Sequence, residues 1–183
     1  MSQPVSARAP SASLRTMVVA KDVSKGEIEI VQAHIRAGLI GGAAGTLATI
    51  PMTAVMLLAQ KLGYLGEAPP RLITSAAISN EDQPPPDLET ERAASAVTHF
   101  GFGAASGTLF GLLASAVRLP GSRIIQGVLF ACVVWLVSYK GWVPALNIMP
   151  PPEKDRPDRP IVMILAHLVF GATLGWLVDR WAD

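Results

Sequence analysis

Charged residues are scarce in this sequence, and four long stretches contain none at all. Asp, Glu, Lys and Arg make up 16% of the 183 residues, whereas about 25% is usual in soluble domains. A helix needs about 20 mostly apolar residues to cross the hydrocarbon core of a bilayer. The uncharged stretches, which reach or approach that length, are residues 37–60, 93–117, 124–139 and 160–178. They leave no room for a separate soluble domain.

The uncharged stretches predict an all-α fold, a bundle of four transmembrane helices. The third stretch is short by charge count, but it extends to Val143 because the long stem of Lys140 can carry its amine to the interface. Residues 1–30 predict a disordered or interfacial tail, since their Ser, Ala, Pro and scattered basic residues bury too little apolar surface. The predicted membrane domain covers residues 31–183, with spans at about 34–62, 93–117, 122–143 and 160–181.

Several residues and motifs that carry chemistry are also missing. Cys132 is the single cysteine, so no disulfide can form within the chain. The patterns of zinc proteases, serine hydrolases and Cys-x-x-Cys proteins do not occur, and no paired carboxylates share a depth in the membrane. We therefore predict no catalytic activity, no catalytic residues and no cofactor. The net charge of +1 argues against a nucleic-acid surface.

The sequence contains one repeated motif, His-x-x-x-Gly-x-x-x-Gly. It occurs three times and begins at His34, His99 and His167. Positions i, i+4 and i+8 of a helix share a face, so each copy places an imidazole at one end of a groove of bare backbone. Helices in lipid associate largely through such close contacts between small residues. The residues predicted to pack helix against helix are Gly38, Gly42, Gly45, Gly103, Gly107, Gly111, Gly171 and Gly175.

The three histidines, the candidate polar or ligand-binding residues, fall at two depths. His99 follows Ala93 by six residues and His167 follows Pro160 by seven, which places both roughly 10 Å inside the same interface. The two halves of the chain resemble each other, and such a parallel repeat orients the second and fourth spans alike. His34 begins the first span, which runs the other way. The three histidines therefore cannot converge on one metal ion, and only the pair of His99 and His167 could.

Proline, aromatic and lysine residues mark special positions along the spans. Pro51 predicts a hinge inside the first span, because proline removes one backbone hydrogen bond. Thr46, Thr49 and Thr53 are near enough to help satisfy the freed carbonyl. The predicted anchors at the membrane–water interfaces are Tyr64, Lys140, Trp142, Trp176 and Trp181.

The connections carry signals of their own. The tight turn at 118–123 predicts that the second and third spans are antiparallel neighbours. Residues 71–78 favour a short amphipathic helix lying on the membrane, and Asp87 is suited to cap the second span. The mixed-charge stretch 153–159 is predicted to lie on the surface. The side that holds both termini carries eight Lys and Arg residues against seven on the other, which favours cytoplasmic termini.

The chain resembles the uncharacterised bacterial inner-membrane proteins of the YagU type, over about residues 35–180. The resemblance implies four helices in a bacterial inner membrane and, for some members, a link to acid tolerance. It offers no catalytic residues. The motifs that carry it are Pro69-Pro70-Arg71-x-Ile73-Thr74, Gly141-Trp142-x-Pro144-Ala145-Leu146 with Pro150-Pro151, and Ala166-His167-Leu168-x-Phe170-Gly171-x-x-Leu174-Gly175.

Three functions are compatible with these observations. The first is a non-catalytic accessory or structural subunit in the lipid bilayer, as a homo-oligomer or within a membrane complex, for which small-residue grooves and short loops suffice. The second is a proton-linked permease or channel for small solutes, since ionisable groups inside a span are functional candidates. The third is a haem- or metal-binding protein that uses His99 and His167 as ligands. For each of the three histidines, the favoured interpretation is an interhelical hydrogen bond to Ser, Thr or a backbone carbonyl.

Overall fold

The fold is all-α, as predicted. The computed structural model describes residues 12–78, 87–117 and 120–182, with the side chains of residues 12–24 excepted. Within these ranges there are five helices, four of them long and apolar enough to cross a membrane. They are α1 (Ala12–Lys61), α2 (Pro69–Ile78), α3 (Leu88–Ala116), α4 (Arg123–Ala145) and α5 (Asp158–Ala182). Inside α4, Val137–Trp142 forms a π-helical turn, and the short 3-10 turn Pro152–Lys154 precedes α5.

The first helix is longer than the sequence analysis predicts. It begins at Ala12, whereas the predicted tail reaches residue 30, so residues 12–30 of that tail belong to α1. Residues 12–25 contain no proline or glycine, and half of them are good helix formers (Ala, Leu, Met, Lys and Arg). The single Gly26 costs only about 1 kcal/mol relative to alanine and does not interrupt the helix. Residues 1–11 of the predicted tail lie outside the described residues.

Two helix pairs make up the bundle. α1 packs against α3 and also against α5, while α4 packs against α5. The order across the bundle is therefore α3, α1, α5, α4. The prediction that the second and third spans are packed neighbours is wrong, because α3 and α4 share only a small contact that includes the Phe110 and Phe130 rings, 5.4 Å apart. Each of these helices instead follows a glycine groove on another partner.

Glycines bring α1 and α3 together in an antiparallel pair. Gly41 faces the Gly107 carbonyl, and Gly45 faces Gly103. A Cβ atom at Gly45 would lie only 2.8 Å from the Gly107 Cα, closer than Cβ atoms come in proteins. Such close backbone approach maximises dispersion contacts, which are the main source of helix association in lipid.

The pair formed by α4 and α5 repeats this arrangement. Gly127 faces the Gly171 carbonyl, and a Cβ atom at Gly127 would lie 3.0 Å from the Gly175 Cα. Leu65 follows the C-terminal end of α1, and its carbonyl accepts a hydrogen bond from Arg159 at the start of α5. Because the end of one helix lies beside the start of the other, α1 and α5 are also antiparallel. It follows that α3 and α5 run in the same direction, as the two-fold repeat predicts.

The outer face of the bundle is apolar, as expected for a protein surrounded by lipid. Large side chains such as Leu39, Val97, Leu129 and Ile161 are exposed. α4 is the least buried span, with 22% of its most apolar window inside the protein, against 56% for α5. This agrees with the bulky composition of α4. The α3 helix begins at the predicted cap, since the Asp87 carboxylate accepts hydrogen bonds from the Glu89 and Thr90 amides, both 3.0 Å long.

Candidate functional site

A chamber of about 210 Å³ lies between the four spans, at the end of the bundle where α2 packs. Its lining is almost entirely apolar, made of methionine, aromatic and proline side chains with a few polar groups. The residues that line it are Met52, Met56, Pro69, Pro70, Ile73, Thr98, His99, Phe102, Trp135, Ser138, Tyr139, Trp142, Val143, Met149, Met163 and His167. The chamber is therefore a candidate binding site at which α3, α4 and α5 bring polar groups together within an apolar wall.

Methionines form much of the chamber wall. Four of the six methionines in the sequence line it. Met52 and Met56 stand one turn apart on α1, Met163 stands one turn before His167 on α5, and Met149 comes from the connection that follows α4. Unbranched thioether side chains are adaptable and polarisable, and they interact favourably with aromatic rings. A wall of this kind can adjust to the shape of an apolar ligand.

His99 and His167 meet at this chamber, as their predicted depth requires. Both also line a smaller adjoining space of about 30 Å³ together with Met52 and Phe102. His167 is only 8% exposed, and its Nδ1–H donates a 2.8 Å hydrogen bond to the Met163 carbonyl. His99 differs, because its Nε2 atom is buried and has no hydrogen-bond partner among the described residues. The predicted interhelical hydrogen bond is therefore not formed by His167, whose partner belongs to its own helix.

Trp135 contributes a second buried nitrogen without a partner. Its ring packs edge-on against Tyr139, with centroids 5.9 Å apart, and it lines the chamber from α4. The indole Nε1 atom is buried, and no acceptor for it exists within the described ranges. This atom can only donate. Sequence reasoning did not select Trp135, since a tryptophan inside an apolar span is ordinarily a packing or lipid-facing residue.

The π-helical turn aims several side chains of α4 at the chamber. Gly141 has non-helical dihedral angles in this segment (φ −99°, ψ −107°), so α4 is kinked there. Ser138, Tyr139 and Trp142, which surround the kink, all reach the lining. Trp142, predicted as an interface anchor, thus also forms part of the chamber wall.

A buried ion pair lies next to the chamber wall, to which it is bonded through Tyr139. The Arg159 Nη1 atom donates to the Asp155 carboxylate at 2.8 Å, and the Tyr139 hydroxyl donates to the same carboxylate at 2.6 Å. The two charged side chains are 10% and 2% exposed, respectively. The prediction that 153–159 lies on the surface is therefore wrong for these residues. Opposite charge and several hydrogen bonds compensate for their removal from water.

Helix α2 covers the chamber from the loop side. Pro69, Pro70 and Ile73 line the chamber, while polar residues on α2 bind α3. Arg71 pairs with Glu91 at 2.8 Å, and the Thr74 and Thr98 hydroxyls are 2.8 Å apart. The predicted short helix exists, but it docks on α3 as a cover instead of lying only on the membrane. Its anchors are polar residues that an apolar-face pattern does not reveal.

His34 lies away from the other two histidines, at the opposite end of the bundle. Its Nδ1–H donates to the Ile30 carbonyl at 2.8 Å, and it borders a groove with Gly38, Gly42 and Thr108. The predicted interhelical hydrogen bond is therefore not formed by His34 either, because Ile30 belongs to the same helix. The separation fits the prediction that, of the three histidines, only His99 and His167 could share a ligand. Within residues 12–78, 87–117 and 120–182, no cluster of three or more His, Cys, Asp or Glu side chains is placed to hold a metal.

The glycines selected from the motif occupy different environments. Gly38 meets only side chains, and a Cβ atom at Gly42 would lie 2.7 Å from the Thr108 hydroxyl but 3.7 Å from the nearest backbone atom. The other glycines of the motif would each bring a Cβ atom to within 3.1 Å of the backbone of a partner helix; they are Gly45, Gly103, Gly107, Gly111, Gly171 and Gly175. Gly41 and Gly127 make backbone contacts as close as any, and the sequence analysis missed both. Gly41 lies on the helix face that includes Ala37 and Gly45, one residue away from the face that begins at His34. A search for small residues at every fourth position from Ala37 would have found it.

The remaining predicted positions are placed as follows. α1 continues through Pro51, whose role as a hinge stays a prediction. The three nearby threonines bond to other carbonyls, so none satisfies the carbonyl of Leu47, which proline leaves without its donor. Lys140 pairs with Glu153. The remaining anchors, which are all exposed, are Tyr64, Trp176 and Trp181.

These features define a class: a four-span helical membrane protein with an apolar chamber between paired helices. The match to a family profile narrows the description further. Residues 35–183 match a family of unknown function, DUF6789, and the chain belongs to this family. Neither the curated proteins nor the solved structures include a match to the chain.

Proposed function

We propose that this chain is a non-catalytic membrane protein that binds a small apolar ligand in the chamber between His99 and His167. The observation that carries the proposal is an apolar space of about 210 Å³ inside a bundle that elsewhere brings backbone against backbone. The volume lies just below the range of about 300–1,000 Å³ that is usual for ligand pockets.

The ligand site is compatible with an accessory role. The outward faces of the spans carry large apolar side chains, which can contact lipid, a second copy of the chain or another subunit of a membrane complex. The resemblance to YagU-type proteins supports a bacterial inner membrane as the location. The small excess of Lys and Arg on the side of the termini supports a cytoplasmic placement of both.

Binding of a plain aromatic hydrocarbon tests the proposal. We expect the purified protein in detergent to bind 2,3-dimethylnaphthalene, measured by equilibrium dialysis. Ser138→Phe fills the chamber from α4 and should weaken binding at least tenfold. Ser115 is exposed on α3 outside the chamber, so Ser115→Phe is the matched control and should bind as the wild type does. Equal binding by the wild type and both variants would refute the chamber as the site.

A second candidate function is the binding of haem or a metal through His99 and His167. It is favoured by one observation: the two histidines and the Met52 thioether line both the chamber and the smaller space beside it. Imidazole and thioether groups are ligands of haem iron and of Cu(I). Purification from membranes followed by a visible spectrum and metal analysis tests it. A haem band or stoichiometric copper that His99→Leu removes would support it, and its absence from wild-type protein after loading with either would exclude it.

A further inference from the structure

We propose that the ligand of the chamber is a flat, mainly apolar molecule that carries carbonyl oxygens, of the class represented by the head groups of membrane quinones. This inference rests on the proposed function, because it names the chemistry of a ligand for the same site. It is carried by two buried nitrogen atoms that belong to residues lining the chamber and that have no hydrogen-bond partner among the described residues.

The polar groups around the chamber fall into two sets. The Tyr139 hydroxyl is bonded to Asp155, the Thr98 hydroxyl to α2 and its own helix, and the His167 Nδ1–H to Met163. His99 Nε2 and Trp135 Nε1 are the buried side-chain atoms of this lining that lack a partner among the described residues. A buried polar atom without a partner is costly and rare in native proteins. The ligand is the natural source of the missing partners.

The two nitrogen atoms specify the kind of partner. Trp135 Nε1 can only donate a hydrogen bond, and His99 Nε2 donates in one of its two neutral tautomers. Trp135 therefore calls for an acceptor oxygen, and His99 does so in its Nε2–H tautomer, which is the one that we assign to it. His99 belongs to α3 and Trp135 to α4, the two connected spans that make little contact with each other. A molecule with one carbonyl at each end of a flat ring can accept one hydrogen bond from His99 and another from Trp135 at the same time.

The rest of the lining suits the body of such a molecule. Phe102 and Trp142 offer aromatic faces and edges, and the methionines offer polarisable sulfur, which interacts favourably with rings. An apolar cavity of about 150 Å³ is enough to hold benzene, so 210 Å³ has room for a substituted or fused ring. A ligand of this class also dissolves in the bilayer that surrounds the helices. No redox step is required, because the inference concerns binding alone.

A pair of matched ligands tests the inference. The quinone is 2,3-dimethyl-1,4-naphthoquinone, whose two methyl groups block addition of the Cys132 thiol. Its partner is 2,3-dimethylnaphthalene, which has the same rings and methyl groups but no oxygen. Both are measured by equilibrium dialysis against the full chain in the same detergent. Comparison of variants at constant detergent removes the contribution of partitioning into micelles.

We expect Trp135→Phe to weaken quinone binding about fivefold, the usual value of one hydrogen bond, and to change hydrocarbon binding less than twofold. His99→Leu should act in the same way, and His99→Gln should retain most of the affinity because its amide donates. Trp176 is exposed outside the chamber, so Trp176→Phe is the matched control. Circular dichroism checks that each variant is folded.

The outcomes separate the two proposals. If the hydrocarbon binds and the two ligands respond equally to Trp135→Phe and His99→Leu, the carbonyl inference is overturned while the chamber remains a ligand site. If neither ligand binds the wild-type protein, the proposed function fails as well, and the inference fails with it. A quinone-selective loss in both variants supports both proposals.

Discussion

At the scale of single residues, glycine matters in this protein because of where it stands, not because it is frequent. Gly107 lies against Gly41 and Gly45 of α1, whereas Gly101, two turns earlier on the same helix, has no atom within 4 Å of where a Cβ would be. The same residue type is therefore required at one position and replaceable at the other. The difference comes from the partner backbone alone.

Substitution of these two glycines by alanine should have opposite effects. Gly107→Ala should destabilise the bundle by about 1–3 kcal/mol, because the added methyl group forces α1 and α3 apart. Gly101→Ala should be neutral or stabilising by up to about 1 kcal/mol, since alanine is the better helix former. Unfolding in mixed micelles by increasing denaturing detergent measures both. Equal destabilisation by the two variants would contradict the helix pairing described above.

Asp87 gives a prediction on pH at the same scale. Hydrogen bonds from the Thr90 backbone amide, the Thr90 hydroxyl and the Glu89 amide lower the pKa of its carboxyl below the ordinary value of 3.8. Because the folded pKa is lowered, the charged cap stabilises α3 above pH 3.8, and this contribution is lost as the pH falls through the folded pKa. Asp87→Asn keeps an acceptor but cannot titrate. The thermal unfolding temperature should fall more steeply between pH 6 and pH 3 for the wild type than for Asp87→Asn. Parallel plots of unfolding temperature against pH would show that Asp87 has no part in acid sensitivity.

At the scale of helices and loops, the buried ion pair joins the start of α5 to the end of α1. Arg159 binds Asp155 and also the Leu65 carbonyl, so removal of the carboxylate leaves a buried guanidinium with only its carbonyl partner. Breaking one side of a buried pair typically costs about 3–5 kcal/mol. Asp155→Ala should therefore lower stability by an amount in this range. Unfolding in mixed micelles gives the value.

The matched control is Glu153→Ala in the same loop. Glu153 pairs with Lys140, but both side chains are largely exposed, and exposed pairs contribute little. Glu153→Ala should leave stability nearly unchanged. Similar losses of stability for Asp155→Ala and Glu153→Ala would mean that burial does not make the Arg159–Asp155 pair more important than the exposed pair.

The helices themselves were predictable from the sequence, but their partners were not. Gaps in charge located all four spans, and the common depth of His99 and His167 followed from counting residues. The packing of one helix on another depends on which helix face carries the small residues. The face of α1 that contacts α3 holds Ala37, Gly41 and Gly45. The motif that begins at His34 indicated the neighbouring face instead. The tight turn after α3 suggested a contact with α4 that the glycine grooves overrule.

The chamber was only partly predictable, because much of its lining consists of ordinary residues. The spacing of Met52 to Met56 and of Met163 to His167 places each pair on one helix face, and this signal was available in the sequence. The missing hydrogen-bond partner of Trp135 was not, since it depends on every atom that surrounds the indole. The burial of Asp155 and Arg159 was equally hidden, because charged residues next to a span are usually solvated.

At the scale of the whole molecule, the bundle combines two antiparallel pairs into a scaffold that is tight at its glycine grooves and open at the chamber. This arrangement predicts a binding protein, not a proton pathway, since the chamber wall is almost wholly apolar. In liposomes exposed to a pH jump, wild-type protein and the double variant His99→Ala/His167→Ala should give the same rate of proton entry. A slower rate in the variant would favour the permease instead.

The three histidines of the chain allow the central claim to be measured directly, because two of them border the chamber and the third lies at the opposite end of the bundle. With isotope-labelled imidazoles, nuclear magnetic resonance can follow each ring while 2,3-dimethyl-1,4-naphthoquinone is added. We predict that the His99 and His167 signals shift together with one dissociation constant and that His34 does not move. Signals that stay unchanged, or a shift of His34 with the same dissociation constant, would contradict a ligand chamber between α3 and α5.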